Sequence, residues 1–280
     1  MPRPAFPPEI LPAEQLAFLR RRGVLAAGDG APAEGVETRS SWVFLTTTCA
    51  YKLKKPLRSR MTDLTSVAAR APNAVLEMQL NRRLAGAVYM GLYPLWWDER
   101  GDLAIGPAVE RPADCPQDPA RVVDWLVGMR RLPVDRMLDG LIGQGRLEAD
   151  DVERVGRHLG RFYRSLTPVL FDPGSYVRML RERDGAALAA APELADAERL
   201  AAAMRRQREF LERQGALLAD RAAAGRVIEG HGDLRPEHVC CLEPPVIFDC
   251  LEFSRELRVL DAVDELAYLG LECARLGRPD

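Results

Sequence analysis

Between Ile228 and Asp249 the chain gathers residue types that do chemistry. His231-Gly-Asp233 opens a polar loop, His238 closes it, and Asp249 ends the apolar run Val246-Ile-Phe248. The pattern predicts a loop, a strand over 239–242, a turn at Pro244-Pro245 and a second strand over 246–248. If those strands pair as a hairpin, the loop around Asp233 and the acid Asp249 lie at one end of it, with His238 between them. Three polar groups converging there could hold a metal ion and phosphate, which suits phosphoryl transfer. Asp233, if ionised, can orient a hydroxyl and take its proton. Asp249 and another loop ligand can hold the Mg²⁺ that bridges nucleotide phosphates. The same chemistry needs a lysine on the α- and β-phosphates, tethered by a glutamate from a neighbouring helix. Lys52 and Glu77 fit those two posts.

Composition draws attention to the lysine. All three lysines stand together, at 52, 54 and 55, while 36 of the 39 basic residues are arginine. An ammonium is a compact point charge suited to a phosphate oxygen in a tight pocket, whereas a guanidinium is a planar fork. The cluster also reads as a solvated basic turn. Period-two alternation puts Lys52 and Lys54 on one strand face, so the pattern leaves the choice between them open, with Lys55 in solvent. Glu77 falls beside the apolar stripe Leu76, Leu80 and Leu84, where a charged carboxylate needs a partner; a surface helix charge is the competing reading.

Each loop residue has a plainer reading too. Asp233 could cap a turn and Asp249 could simply end its strand. His231 is expected to hold the loop, its ring hydrogen-bonded to backbone. Cys240, Cys241 and Cys250 near the two histidines suggest zinc, but there is no Cys-x-x-Cys pair, and neighbouring strand residues face opposite ways. Buried small hydrophobes fit those cysteines better. Asp261 and Asp264 precede a helix and are expected to cap it or brace the loop.

The elements that must position these groups follow from periodicity. A short amphipathic helix is predicted over 10–25, then strands from Val36 to Lys54 folded about a turn at Thr46–Thr48. A helix over 65–84 carries Glu77, and short strands over 88–129 close with Val122–Met129. After Pro133 the chain is mainly helical, with stripes at Val152, Val155, Leu159, Phe162 and Leu166 and at Leu200, Met204, Leu211 and Leu218. Helix resumes over 261–269 beyond the loop segment. The expected organisation is α+β, with an N-terminal nucleotide-gripping lobe over 1–131 and a helical C-terminal lobe over 132–280 that holds the catalytic and metal loops and is expected to continue past its last residue.

Bulk properties exclude several classes. A net charge of −2 and a pI near 6.1 give no support for nucleic acid or an acidic membrane as partner. The first residues, Met1-Pro-Arg-Pro, lack a signal peptide's apolar core, and no stretch reaches the ~20 apolar residues of a membrane span. Six cysteines in 280 residues do not suggest a disulfide scaffold, so a reducing cytoplasm fits.

The loop His231-Gly-Asp-Leu-Arg-Pro-Glu-His238 followed by Ile247-Phe-Asp-Cys-Leu-Glu-Phe253 resembles the catalytic and metal loops of aminoglycoside phosphotransferase-like kinases. Ser41-Trp-Val-Phe-Leu-Thr46, Ala50-Tyr-Lys-Leu-Lys-Lys-Pro56, Leu80-Asn-Arg-Arg-Leu84 and Asp264-Glu-Leu-Ala-Tyr-Leu269 look like a bacterial branch of that family, some of whose members carry a P-loop ATPase domain after the kinase-like part. The resemblance covers roughly residues 35–275. It implies a bilobal protein-kinase-like fold and transfer of the γ-phosphoryl group of ATP to a hydroxyl of a small molecule. It makes Asp233 the base, Asp249 the main Mg²⁺ ligand, Lys52 the phosphate grip and Glu77 its tether. An adenine-receiving hinge follows the 122–129 strand, at Met129 and Arg130. It also implies a P-loop ATPase domain or protein as partner.

Two departures qualify this. His238 stands where the family has an asparagine as second metal ligand, and imidazole is a poor ligand for Mg²⁺ though acceptable for Mn²⁺ or Zn²⁺. Thr46-Thr-Thr-Cys49 stands where flexible glycines are expected over the phosphates. A catalytically weak nucleotide-binding or regulatory module is therefore the alternative to an active kinase. Glu252, Glu256 and Asp184 are candidates to line an acidic cleft for a cationic acceptor.

Overall fold

Strand-forming runs in the first half of the chain build a sheet covered on both faces. The computed structural model describes residues 12–21, 23–25, 33–59, 61–172, 174–190 and 197–279. Helix α1 (Pro12–Leu19) is shorter than expected: residues 10 and 11 lie outside the described residues, and Gly23, at φ 77°, turns the chain away from helix. Strands β1 (Glu34–Glu37), β2 (Ser41–Leu45) and β3 (Cys49–Lys54) form a meander, with the β2–β3 hairpin turning at 46–48 as predicted. Helix α2 (Val67–Ala85) follows, then β4 (Tyr89–Trp97), β5 (Leu103–Ile105) and β6 (Val122–Arg130). The order across the six-stranded antiparallel sheet is β1-β2-β3-β6-β4-β5, so the last strand inserts between β3 and β4.

Every residue of β3 is buried because both sides of that strand are covered. Tyr51 and Leu53 point to one face and pack with Phe44, Leu126 and Leu19 of α1. Ala50 points to the other, where Leu92, Trp125, Val127 and Met129 meet Ala71, Ala74 and Met78 of α2. Lys52 and Lys54 share the Ala50 face by strand periodicity, so both are delivered to α2. The Ser66 hydroxyl caps α2 by accepting from the Ala69 amide at 3.2 Å, and Arg70 fastens its first turns to β6 through Asp124 at 2.8 Å.

The remainder is largely helical: α3 (Leu138–Gly143), α4 (Ala149–Ser165), α5 (Ser175–Ala190) and α6 (Ala197–Ala223). It is interrupted by β7 (Val227–Glu229), β8 (Val239–Cys240) and β9 (Val246–Ile247), then closed by α7 (Arg255–Arg258), β10 (Val259–Asp261) and α8 (Ala262–Arg275). β8 pairs antiparallel with β9, the predicted hairpin at two residues per strand, and β7 pairs with β10. In α4 the buried stripe is Val155, Leu159 and Phe162, while Val152 is exposed. That stripe packs with Leu141, Leu234 and Ile247 and with Leu84 from the end of α2. Helix α2 therefore belongs to two cores, the sheet's and the hairpin's. The architecture is α+β, a sheet-bearing part followed by a mainly helical one. No helix among the described residues is long and apolar enough to cross a membrane.

Candidate active site

The site starts from a ladder of buried charge between β3, α2 and the segment after β9. Lys52 Nζ lies 2.9 Å from Glu77 Oε1 and 2.6 Å from Asp249 Oδ1. Lys54 Nζ lies 2.5 Å from Glu77 Oε2 and also bonds the Glu252 carboxylate. Glu77 is completely buried, so the reading of it as a surface charge does not hold. Such a carboxylate is tolerated only with close cationic partners. Burial pushes the Glu77 carboxyl up, but Lys52 and Lys54 outweigh it and hold it below its ordinary value. Burial likewise opposes the Lys52 ammonium, yet Asp249 and Glu77 hold it well above its ordinary value. The sequence's choice between two lysines has a physical answer: Lys52 links the helix to Asp249, and Lys54 links the same glutamate to Glu252. Glu252 is thereby taken up inside the protein and does not line a cleft. The side chain of Asp184 lies outside the described residues. Lys55, expected in solvent, is instead mostly covered, paired with Glu37 at 2.7 Å and lying over the Trp42 ring.

The hairpin brings the two loops together. The register Val239↔Ile247 sets His238 beside Phe248, whose amide donates to the His238 carbonyl at 3.0 Å. The next residue, Asp249, has φ 61°, in the left-handed region that few non-glycine residues adopt. Two side chains of α2, Asn81 and Arg83, hold this turn and the chain just after residue 229 beside it. The Asn81 side-chain oxygen accepts from the Cys250 amide at 2.8 Å, and Arg83 donates to the Glu229 and Gly230 carbonyls at 2.8 and 2.7 Å. Burial pushes the Asp249 carboxyl up, but Lys52, ahead of His238 and Lys54, holds it well below the usual carboxylate range.

The loop that carries Asp233 is clamped from α8. Glu265 accepts from the amides of His231 and Gly232 at 2.8 and 2.6 Å, and from the Tyr163 hydroxyl at 2.7 Å. Gly232, at φ 85°, could not be replaced without strain, since a Cβ would stand 2.9 Å from Arg258 Cγ. Sequence reasoning assigned bracing to Asp261 or Asp264; the brace is the adjacent Glu265, while Asp261 caps α8 through the Val263 amide. The ring of His231 does hold the loop, its Nε2 donating to the Phe248 carbonyl at 2.9 Å and its Nδ1 accepting from the Asp233 amide at 3.3 Å.

That arrangement has a measurable consequence. Burial, ahead of the charge of His238, brings His231 from 6.5 down to about 4. Between those values the unfolded chain binds a proton that the fold excludes, so this stability is complete above about pH 6.5 and is lost as pH falls toward about 4. The span corresponds to about 3 kcal/mol. Urea midpoints should therefore drop between about pH 7 and about pH 4.5 in the wild type, and drop less in His231→Gln; equal slopes would show that His231 titrates freely in the fold.

His238 faces both acids. Its Nδ1 lies 2.8 Å from the Asp233 carbonyl oxygen and 3.8 Å from Asp233 Oδ2, and its Nε2 lies 3.6 Å from Asp249 Oδ2. Burial raises the Asp233 carboxyl above its ordinary value against the pull of His238 and Arg235. A divalent cation carried by a nucleotide fits this donor set: one oxygen of Asp249 is occupied by Lys52, and the other, with the imidazole, is open to an ion. Among the described residues no group of three or more His, Cys, Asp and Glu is arranged to hold a metal, so phosphate oxygens and water must complete any shell.

The structure therefore brings Lys52, Glu77, Asp233, His238 and Asp249 into one place. Met129 lies opposite Ala50, two residues along β3 from Lys52, with its side chain in the sheet–α2 core, and Arg130 is exposed at the end of β6. The Thr46–Cys49 turn is closed on itself, with Thr46 Oγ1 donating to the Cys49 carbonyl at 3.1 Å and accepting from its amide at 3.0 Å. Arg235 pairs with Glu237 and lies 4.0 Å from Glu272, flanking Asp233. Asn81 and Glu265 were given no role from sequence, and Glu252, expected in an acidic cleft, is instead paired with Lys54. Asn81 left a signal, standing one turn after Glu77 inside the Leu80–Leu84 stripe.

No family model matches the chain. Among curated proteins it is 28% identical over 250 residues to a protein of Mycobacterium tuberculosis and, equally, to one of Mycobacterium bovis, covering 87% of this chain and 46% of each relative. These relatives are uncharacterized. The chain spans about half the length of the curated relatives it matches. Among solved structures it is similar to the GDP and kanamycin complex of APH(2")-IIia, with a TM-score of 0.48 and 13% identity, covering 95% of this chain and 84% of that one. It is also similar to the GDP complex of wild-type aminoglycoside 2'-phosphotransferase-IIIa, with a TM-score of 0.46 and 12% identity, covering 94% and 81%. Likeness at this level is remote, and the chemistry of the site rests on its own residues.

Proposed function

We propose that this chain is a kinase-like phosphotransferase that moves the γ-phosphoryl group of ATP to a hydroxyl of a small molecule. The observation that carries the proposal is Asp249: one oxygen is bound by a Glu77-tethered lysine, the other faces His238, and Asp233 stands on the far side of the same imidazole. In this reading Lys52 holds the α- and β-phosphates, and Asp249 with His238 holds a divalent cation, Mg²⁺ or Mn²⁺. That cation, when bound, neutralises charge on the phosphates. Asp233 orients the acceptor hydroxyl and takes its proton as the oxygen bonds to the γ-phosphorus and the bond to the β–γ bridging oxygen breaks, releasing ADP. The Glu265 clamp keeps Asp233 in place without contributing to the chemistry. The end of β6, at Met129 and Arg130, is the proposed adenine side of the cleft. Arg235, Glu237 and Glu272 flank Asp233 and form part of the acceptor side.

The six cysteines are free, which supports a reducing compartment such as the cytoplasm. The greater length of the curated relatives leaves room for the P-loop ATPase partner that the sequence resemblance implies. The closed Thr46–Cys49 turn favours one competing reading, a module that binds nucleotide without turning it over. Cation-dependent ATP consumption in the presence of a panel of small alcohols and amino-alcohols separates the two. Turnover supports the kinase, and nucleotide binding without turnover across the panel supports the module.

A further inference from the structure

The geometry points to a first-row transition divalent ion such as Mn²⁺, in preference to Mg²⁺, as the cation held by Asp249 and His238. This rests on the nucleotide-site reading and concerns which ion that site selects. The argument begins with the proton on His238. Its Nδ1 lies 2.8 Å from the Asp233 carbonyl oxygen, which can only accept, so Nδ1 is the donor. In the neutral ring the lone pair is then on Nε2. That nitrogen faces Asp249 Oδ2 across 3.6 Å, beyond hydrogen-bond length, while Oδ1 of the same carboxylate is bound by Lys52 at 2.6 Å. In that neutral form two acceptors face one another, and a cation taking the place of a proton on Nε2 would join them. Two ligands each about 2.1 Å from one ion can stand up to about 4.2 Å apart, so this separation lies within the span of a shared ion.

The surroundings are those of a metal-binding imidazole. A ligating histidine is oriented by donating its other ring N–H to a backbone carbonyl or a carboxylate, which fixes the tautomer and strengthens the ligating nitrogen. His238 does so toward Asp233, and its ring is largely buried beside Phe248, with ring centres 6.0 Å apart. Mg²⁺ takes oxygen ligands and sheds water reluctantly, whereas imidazole favours later divalent ions. Because the described residues hold no three-ligand cluster, the ion is expected to bind with the nucleotide and only weakly without it.

The test uses Mn²⁺ and ADP on protein made with ¹⁵N-histidine. Pulsed electron paramagnetic resonance of the Mn²⁺·ADP complex should show a ¹⁵N coupling from a directly bound imidazole, and His238→Asn should abolish it with Mn²⁺·ADP still bound. By calorimetry, Mn²⁺·ADP should bind wild type about tenfold or more tighter than Mg²⁺·ADP, and the gap should close in His238→Asn; loss of even an outer partner of a metal ligand costs about 10–100-fold. Binding of Mn²⁺·ADP without a histidine coupling overturns the ion assignment and leaves the nucleotide site standing. Failure of ADP to bind with either ion overturns both. The wild-type spectrum decides even if the variant does not fold.

Discussion

Replacing Asp233 by asparagine is expected to lower kcat by about 10²–10⁴-fold, the usual worth of a positioned general base. The substitution keeps the size of the side chain and removes its capacity to take the hydroxyl proton. The loop should survive the change, because its positions are fixed by groups other than the Asp233 carboxylate. Glu265 holds the amides of His231 and Gly232, the His231 ring holds the Phe248 carbonyl, and His238 is anchored on the Asp233 main-chain oxygen. Nucleotide affinity should therefore stay within about twofold while the chemical step collapses, the pattern of an interaction made only in the transition state. Steady-state turnover and ADP binding on the same preparation read the two quantities. A variant that retains wild-type kcat would remove Asp233 from the mechanism.

The two buried lysines should separate stability from binding. Lys54→Met leaves Glu252 in a site that is 8% exposed with its ammonium gone, whereas Lys52→Met leaves Asp249, whose side chain is 41% exposed, free to take up water. Breaking one side of a buried pair costs about 3–5 kcal/mol because the abandoned charge stays desolvated. That cost applies to Lys54, which is 1% exposed, and is largely relieved for Lys52 by hydration of Asp249. Nucleotide affinity should run the other way, since Lys52 alone reaches Asp249. Chemical denaturation should rank Lys54→Met as the less stable protein, and ADP titration should rank Lys52→Met as the weaker binder. The reverse order in either measurement would exchange the roles given to the two lysines.

Much of this site was legible because it rests on short-range pattern. Period-two alternation placed Lys52 and Lys54 on one face, the Leu76–Leu80–Leu84 stripe put Glu77 on a helix, and the Pro-Pro turn put Asp233 and Asp249 at one hairpin end. What the pattern did not contain was pairing across the chain. Lys54 and Glu252 are separated by 198 residues, and Asn81 reaches the Cys250 amide across 169, so no local periodicity announces either contact. Glu265 and Asp264 are neighbours at the start of α8, and only the helix's rotation decides that Glu265 faces the loop. The expected strands over 239–242 and 246–248 shrank to two residues each, because the Cys241 amide turns to the Arg136 carbonyl and β9 ends ahead of the left-handed turn at Asp249.

The most direct measurement is ADP or ATP binding to the wild type and to Asp249→Ala, followed by thermal unfolding with and without Mn²⁺ or Mg²⁺. Ligand at about a hundred times its Kd stabilises the native state by about 2.7 kcal/mol. The account predicts a cation-dependent rise in the wild-type melting temperature and its loss in Asp249→Ala, with the variant still folded in the absence of ligand. An unchanged melting temperature for the wild type with either cation, or an equal rise in both proteins, would contradict a nucleotide site built on Asp249.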